Sequence, residues 1–296
     1  MNNLRSFAVA TLLATLPAAA KASPLRRNYR DGELLGYRIS GTHAANGEIT
    51  SSYDASESAT VKKSTDGTFH EVINWTRVRM DGRDIALPPA SREFRQLLSL
   101  DPSSEVSIPP LATLDSTLYA PMLDLMTFYA DLRLAIKGNL VRKAGDHVLV
   151  PHGKPNSWAD GRRITFAQDC IDFNISLVSL DSSSATLKVR HVPPRADCGE
   201  VPAAWMRRPV SDTISNWFQV EKKGDGDYIV GVGQEFFDAE IRITLPSGII
   251  ESATMYNPIN GKERICKDSS LSDCGPTQKI KIVRSIKLSL EQHLKR

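Results

Sequence analysis

Apolar and polar residues alternate along most of this chain, which is the period of a strand with one buried face. Leu35, Tyr37 and Ile39 open the pattern, and Phe69, Glu71 and Ile73 through Met80 make a longer run that ends at the turn pair Asp81-Gly82. The cleanest alternation is Ile171, Phe173, Ile175 and Leu177. Polar Asp181-Ser182-Ser183-Ser184 separates it from Leu187 and Val189, which predicts a hairpin. A second hairpin is predicted where Ala239, Ile241, Ile243 and Leu245 lead into Pro246-Ser247-Gly248 and alternation resumes at Ile249, Glu251 and Ala253. The last predicted strand carries Ile280, Ile282, Ile286, Leu288 and Leu290, its phase slipping near Val283 and Arg284 in the manner of a β-bulge.

Helical spacing is confined to one region. From Leu111 to Ile136, the residues Leu118, Met122, Leu125, Met126, Tyr129, Leu132 and Ile136 recur at three- and four-residue steps, with Pro121 expected to divide the segment. A shorter helix is predicted over Ser91 to Leu98, and Asp101-Pro102 to Pro109-Pro110 reads as a connector. The predicted class is mainly β with a helical insertion around 91–136 (α+β): a curved antiparallel sheet or half-barrel covered by a helix, in a single domain over 23–296. This element order resembles, at the level of fold, the half-barrel lipoprotein carriers and lipid-binding proteins of bacterial envelopes; the resemblance rests on no shared motif and carries over no residue.

The N-terminus changes the picture. Arg5, an apolar run from Phe7 to Leu16, and Ala20-Lys21-Ala22 have the layout of a secretory signal peptide, with cleavage expected after Ala22. Its apolar run is too short to span a bilayer, which takes roughly 20 residues. The segment 111–136 contains Asp115, Asp124, Asp131 and Arg133 and is expected to be a protein helix. The chain is therefore expected to be soluble and exported, to a periplasm or beyond the cell. Removing 1–22 takes away Arg5 and Lys21 and no acid, lowering the formal charge from +3 to +1. So neutral a chain argues against nucleic acid as a partner, and Arg26-Arg27-Asn28-Tyr29-Arg30 reads as a solvated start. In an oxidising compartment the four cysteines suggest disulfides Cys170–Cys198, closing a hairpin, and Cys266–Cys274, closing a polar loop. Their spacing fits no zinc site, and no metal or cofactor is predicted.

Candidate chemistry is sparse. The chain lacks a G-x-S-x-G elbow, H-E-x-x-H, a P-loop, a dinucleotide-binding G-x-G-x-x-G and an S-x-x-K pair. The densest cluster is Asp146-His147 through His152 and Ser157-Trp158-Ala159-Asp160-Gly161, in which His147, His152 and Asp160 are weak catalytic candidates without a spaced nucleophile. His191 falls in strand phase with Leu187 and Val189, as a core or rim histidine does. Gly224-Asp225-Gly226-Asp227 reads as a hairpin turn, lacking the later ligands of a calcium loop. Trp205, Arg207, Arg208 and Trp217 could meet a partner.

Three functions remain open. The first is a non-enzymatic binder of a hydrophobic small molecule or lipid, held in an apolar cavity by Met122, Met126, Phe128, Tyr129 and Trp158. The second is an exported hydrolase using His147, His152 and Asp160, and the third a protein-interaction module presenting the tryptophan and arginine surface.

Overall fold

The computed structural model describes residues 23–104, 114–153, 157–159, 163–166, 170–192, 203–207 and 215–294. The expected signal peptide and its cleavage site after Ala22 lie outside them, as do Asp160, Cys198 and Arg208. In chain order the elements are β1 (Leu34–Ala45), β2 (Glu48–Lys63), β3 (Phe69–Met80), β4 (Arg83–Asp84), α1 (Pro89–Glu93), β5 (Gln96–Leu98) and α2 (Tyr119–Lys137). There follow β6 (His147–Gly153), β7 (Ser157–Ala159), β8 (Arg163–Phe166), β9 (Cys170–Leu180) and β10 (Ser184–Val192). The chain ends with β11 (Trp217–Lys222), β12 (Tyr228–Glu235), β13 (Phe237–Thr244), β14 (Ile249–Cys266) and β15 (Gln278–Leu294).

Among the described residues all strands join one antiparallel sheet that does not close, with main path β4-β3-β2-β1-β15-β14-β12-β11-β8-β7. The first half of β14 pairs with β13, which leads on through β10 and β9 to β6; its second half pairs with β12. Long β14 thus joins two wings. Both predicted hairpins form, β9–β10 around Asp181 and β13–β14 around 245–248. Gly248 sits at φ +67° against the N-terminal segment, where a Cβ would meet the Arg26 carbonyl oxygen at 2.4 Å.

Two apolar cores lie on opposite faces of β14. Ala253 and Met255, at odd positions, join the large core between sheet and α2, whereas Cys266, at an even position, joins a small one with Phe218, Val230, Val232, Met206 and Leu271. The β12–β14 register stays continuous from Ile259 to Cys266, so buried parity switches there with no bulge. Cys266 and Cys274 form the expected disulfide, closing the loop beside the small core.

Several expectations are corrected. Ser91–Leu98 is not one helix: α1 ends at Glu93 because Phe94 is extended (φ −62°, ψ 139°), and Gln96 and Leu98 then pair as β5 with Ile73 and Glu71. Pro121 does not divide α2; it lies in the first turn, where the missing N–H has no helical acceptor to lose. No bulge occurs at Val283 and Arg284. The register runs straight through them, and the shift falls at Glu291, opposite the Gly36–Tyr37 step. Arg284 broke the apolar pattern because an inward position there carries a charge. The 26–30 segment is not simply solvated either, since Leu25 is 0% and Arg27 4% exposed.

Candidate functional site

The inner sheet face is where sequence and chemistry converge. On α2, Met122, Leu125, Tyr129, Leu132 and Ile136 form one buried stripe at helical spacing, and Asp124, Phe128, Asp131 and Ala135 form a second beside it. Two adjacent buried stripes make a helix covered over much of its circumference, and the second stripe takes two carboxylates into the core.

Each carboxylate meets a partner from the sheet. Tyr53 of β2 donates its hydroxyl to Asp124 Oδ2 at 2.7 Å, and Arg284 of β15 reaches Asp124 Oδ1 at 3.0 Å. His191 Nε2 of β10 lies 2.7 Å from Asp131 Oδ1, its ring between Phe173 and Phe237 with centroids at 4.6 and 4.7 Å. Tyr129 donates to Glu71 Oε2 of β3 at 2.5 Å. Gln96 of β5 donates to the Met122 carbonyl at 3.1 Å and accepts from Trp75 Nε1 at 3.2 Å. The helix is therefore tied by polar contacts to five strands.

A second buried cluster surrounds Glu71. Arg27 pairs with Glu33 at 2.5 Å, approaches Glu71 at 3.6 Å and stacks over Tyr29 at 4.5 Å, while His293 Nε2 lies 2.8 Å from Glu33. Burial opposes the charge of Glu33, yet Arg27 and His293 hold its carboxyl below the usual range. Glu57 lacks such help: burial, then the charge of Glu71, pushes it well above the ordinary carboxylate value, and among the described residues no side chain hydrogen-bonds to either of its enclosed oxygens. Glu71, Asp124 and Glu235 are also raised, each mainly by burial. Tyr37, Tyr53 and Tyr129 are raised well above the usual phenol value for the same reason, so they remain donors. Among the described residues no group of three or more His, Cys, Asp or Glu side chains is placed to hold a metal ion.

The sequence candidates distribute unevenly over this arrangement. Met122 and Phe128 are 0% exposed and Tyr129 1%, all packed in the large core, and Met126 is half-buried against it. Trp158 pairs in β7 opposite Thr165. His147 is exposed at the start of β6 and His152 lies five positions on along the same strand, a backbone separation of about 17 Å. His191 is the buried core histidine its phase predicts. Trp217 is buried against Gly231, Trp205 is half-buried with the Arg264 guanidinium 5.4 Å from its ring centroid, and Arg207 is exposed. Gly224–Asp227 forms the β11–β12 turn, closed by Lys223 N–H to the Asp227 carbonyl at 2.7 Å.

What sequence reasoning missed are charges at inward strand positions. Glu57 shares phase with Ala55, Ala59 and Val61, and Arg284 with Ile282 and Ile286. A charge on the apolar phase was the available signal. The two clearest depressions, of about 400 and 380 Å³, are open and lie away from α2, one on the outer sheet face around Arg38, Asp54 and Lys287, the other beside Ser23, Asn28 and Pro246. No helix among the described residues is long and apolar enough to cross a membrane.

No family model and no curated protein matches this chain. Among solved structures it is similar to MucB in complex with MucA(peri) at 11% identity, covering 85% of this chain and 88% of that one with a TM-score of 0.18. The MucA/MucB complex of Pseudomonas aeruginosa follows at 10% identity, 86% and 88% coverage and a TM-score of 0.15. OmpT of Vibrio cholerae stands at 7% identity, 88% and 98% coverage and a TM-score of 0.11. Similarity this low carries no argument about function.

Proposed function

We propose that this chain is an exported, non-enzymatic binding protein that takes an apolar small molecule or lipid on the inner sheet face covered by α2. The observation that supports the reading is how α2 is fastened. Burying charges costs more than their pairing returns unless the geometry is complete. Here Asp131 Oδ2 and His191 Nδ1 are enclosed without hydrogen-bond partners among the described residues, and burial of Asp124 outweighs what Arg284 and Tyr53 return. Apolar contacts of Met122, Leu125, Phe128 and Leu132 seat the helix, and in this reading the incompletely satisfied polar groups beside them are what lets it lift. Lifting would join Met122, Phe128 and Tyr129 to the inner strand residues as one apolar lining, with Met126 and Trp158 as further proposed contacts.

Curvature of the sheet belongs to the same reading. Tyr129 reaches β3, and Asp131, two residues on, reaches β10, six strand places away along the sheet. On a flat sheet those strands would lie roughly 29 Å apart, so the contacts favour two wings facing each other across the helix. Export is supported by the signal-like N-terminus together with the Cys266–Cys274 disulfide.

Native mass spectrometry of the mature protein from its own envelope fraction, with organic extraction of anything bound, tests the proposal. A reproducible apolar adduct is expected. A clean apo mass, persisting after incubation with envelope lipids, would refute it and leave the His147, His152 and Asp160 hydrolase to be tested by mutation.

A further inference from the structure

A different surface, on the outer sheet face, carries an inference independent of the inner one. Strand register places Lys279 directly opposite Lys262 on β15 and β14. Lys281 lies two residues beyond Lys279 on the same face, and Arg264 two residues beyond Lys262. Opposed side chains across such a pair are about 5 Å apart and like charges there destabilise the sheet. No carboxylate lies within 4 Å of any of these four cations among the described residues. Arg264, whose guanidinium lies over the Trp205 ring, has its Nε enclosed without a hydrogen-bond partner among the described residues.

The usual bland explanation for strand lysines is edge protection. It does not account for the array, because Lys262 and Arg264 lie on β14 between β12 and β15, and the Lys281 backbone N–H and carbonyl are both bonded to Asn46 of the β1–β2 turn, so that only Lys279 lies beyond the end of β1 on an open stretch of β15. Next to the cations, the same face carries an apolar row running from Ile49 through Ala44 and Val283 to Pro258, aligned by register across β2, β1, β15 and β14. Ile49, beside the tip of the β1–β2 hairpin, is 71% exposed, and Tyr256, one row away on that face, is 48% exposed.

We propose that this face docks on an anionic lipid surface, the lysines meeting headgroup phosphates and Ile49 entering the interfacial layer. Charge complementarity supports the assignment: the cations form a two-dimensional array over neighbouring strands, beside an exposed aliphatic tip and an amphipathic aromatic, as a phosphate plane demands. An acidic peptide would call for a groove, and the depression on this face, beyond Tyr256, is lined by the carboxylates of Asp54 and Glu291 and by none of the four cations.

Vesicle co-sedimentation of the mature protein tests the idea. With about 30% phosphatidylglycerol in phosphatidylcholine the protein pellets, with pure phosphatidylcholine it does not, and binding falls at least about tenfold between roughly 0.05 and 0.5 M salt. Lys279→Gln/Lys281→Gln weakens binding by roughly thirty-fold, and Ile49→Ser weakens it without changing the salt slope. Lys137→Gln/Arg142→Gln, exposed elsewhere and equal in net charge change, binds like the wild type. All these side chains are exposed, so thermal melts should coincide and exclude misfolding. Failure of the wild type to bind anionic vesicles, equal losses in the two double variants, or capture of polyglutamate with vesicles ignored would each overturn the proposal.

Discussion

Glu57 is the residue at which burial and charge conflict most directly. Its folded carboxyl holds a proton more tightly than the unfolded one, so its contribution to stability is fully present below the ordinary value of 4.5 and is lost as pH rises through the raised folded value. Glu57→Gln keeps the shape and removes the titration. Its melting temperature should match the wild type near pH 4 and exceed it near pH 8 by at least about 2–4 °C, the shift expected per kcal/mol in a domain of this size. Equal destabilisation at both pH values would mean that the charge is used in the fold. Exposed Asp181 behaves oppositely: Ser183 and Ser184 donate to it and lower its carboxyl to about 2, so its turn should loosen only in strong acid. The apolar partners at this scale were legible, because Leu35, Ile175 and Ile241 sit where alternation puts them. The inward charges were not, because a carboxylate on an apolar phase is tolerable only with groups such as Arg27, Tyr129 or Arg284, which come from distant segments.

For α2 the decisive interaction is Asp124 with Arg284. Asp124→Ala leaves the arginine with the charge of Glu235 but without its hydrogen-bonded partner; with the Arg284 side chain 24% exposed, the cost should fall at the lower end for a buried pair, about 3 kcal/mol. Replacing both, as Asp124→Leu/Arg284→Met, should be neutral or stabilising while slowing any lifting of the helix. Chemical denaturation of the single and double variants checks this, and equal losses in both would contradict it. The helix itself was visible from its three- and four-residue spacing, as were both hairpins from their polar turns. The false helix over Ser91–Leu98 and the false bulge at Arg284 share one cause: a short window cannot distinguish a strand that pairs with a remote partner from a break in the pattern.

At the scale of the molecule, β14 carries cores of unequal size on its two faces. The small one, built on Phe218, Val230, Val232 and Cys266, has less apolar area and depends on the disulfide loop. Amides of Val230 and Val232 should therefore exchange with solvent through openings of lower free energy than those of Ile241 and Leu288, and reduction of Cys266–Cys274 should speed only the former. Closing a loop of this length contributes about 2–3 kcal/mol. No local pattern announces a switch of buried face along a single strand, since it appears only once β12 and β13 are both seated on β14. The central claim is that α2 covers a binding face and can leave it. Native-state hydrogen exchange, followed with and without an envelope lipid extract, tests that most directly. The account predicts that Leu125 to Leu132 open well below the free energy of global unfolding, and that the extract speeds their exchange while slowing that of the inner strands. Exchange of α2 only through global unfolding, unchanged by lipid, would contradict it.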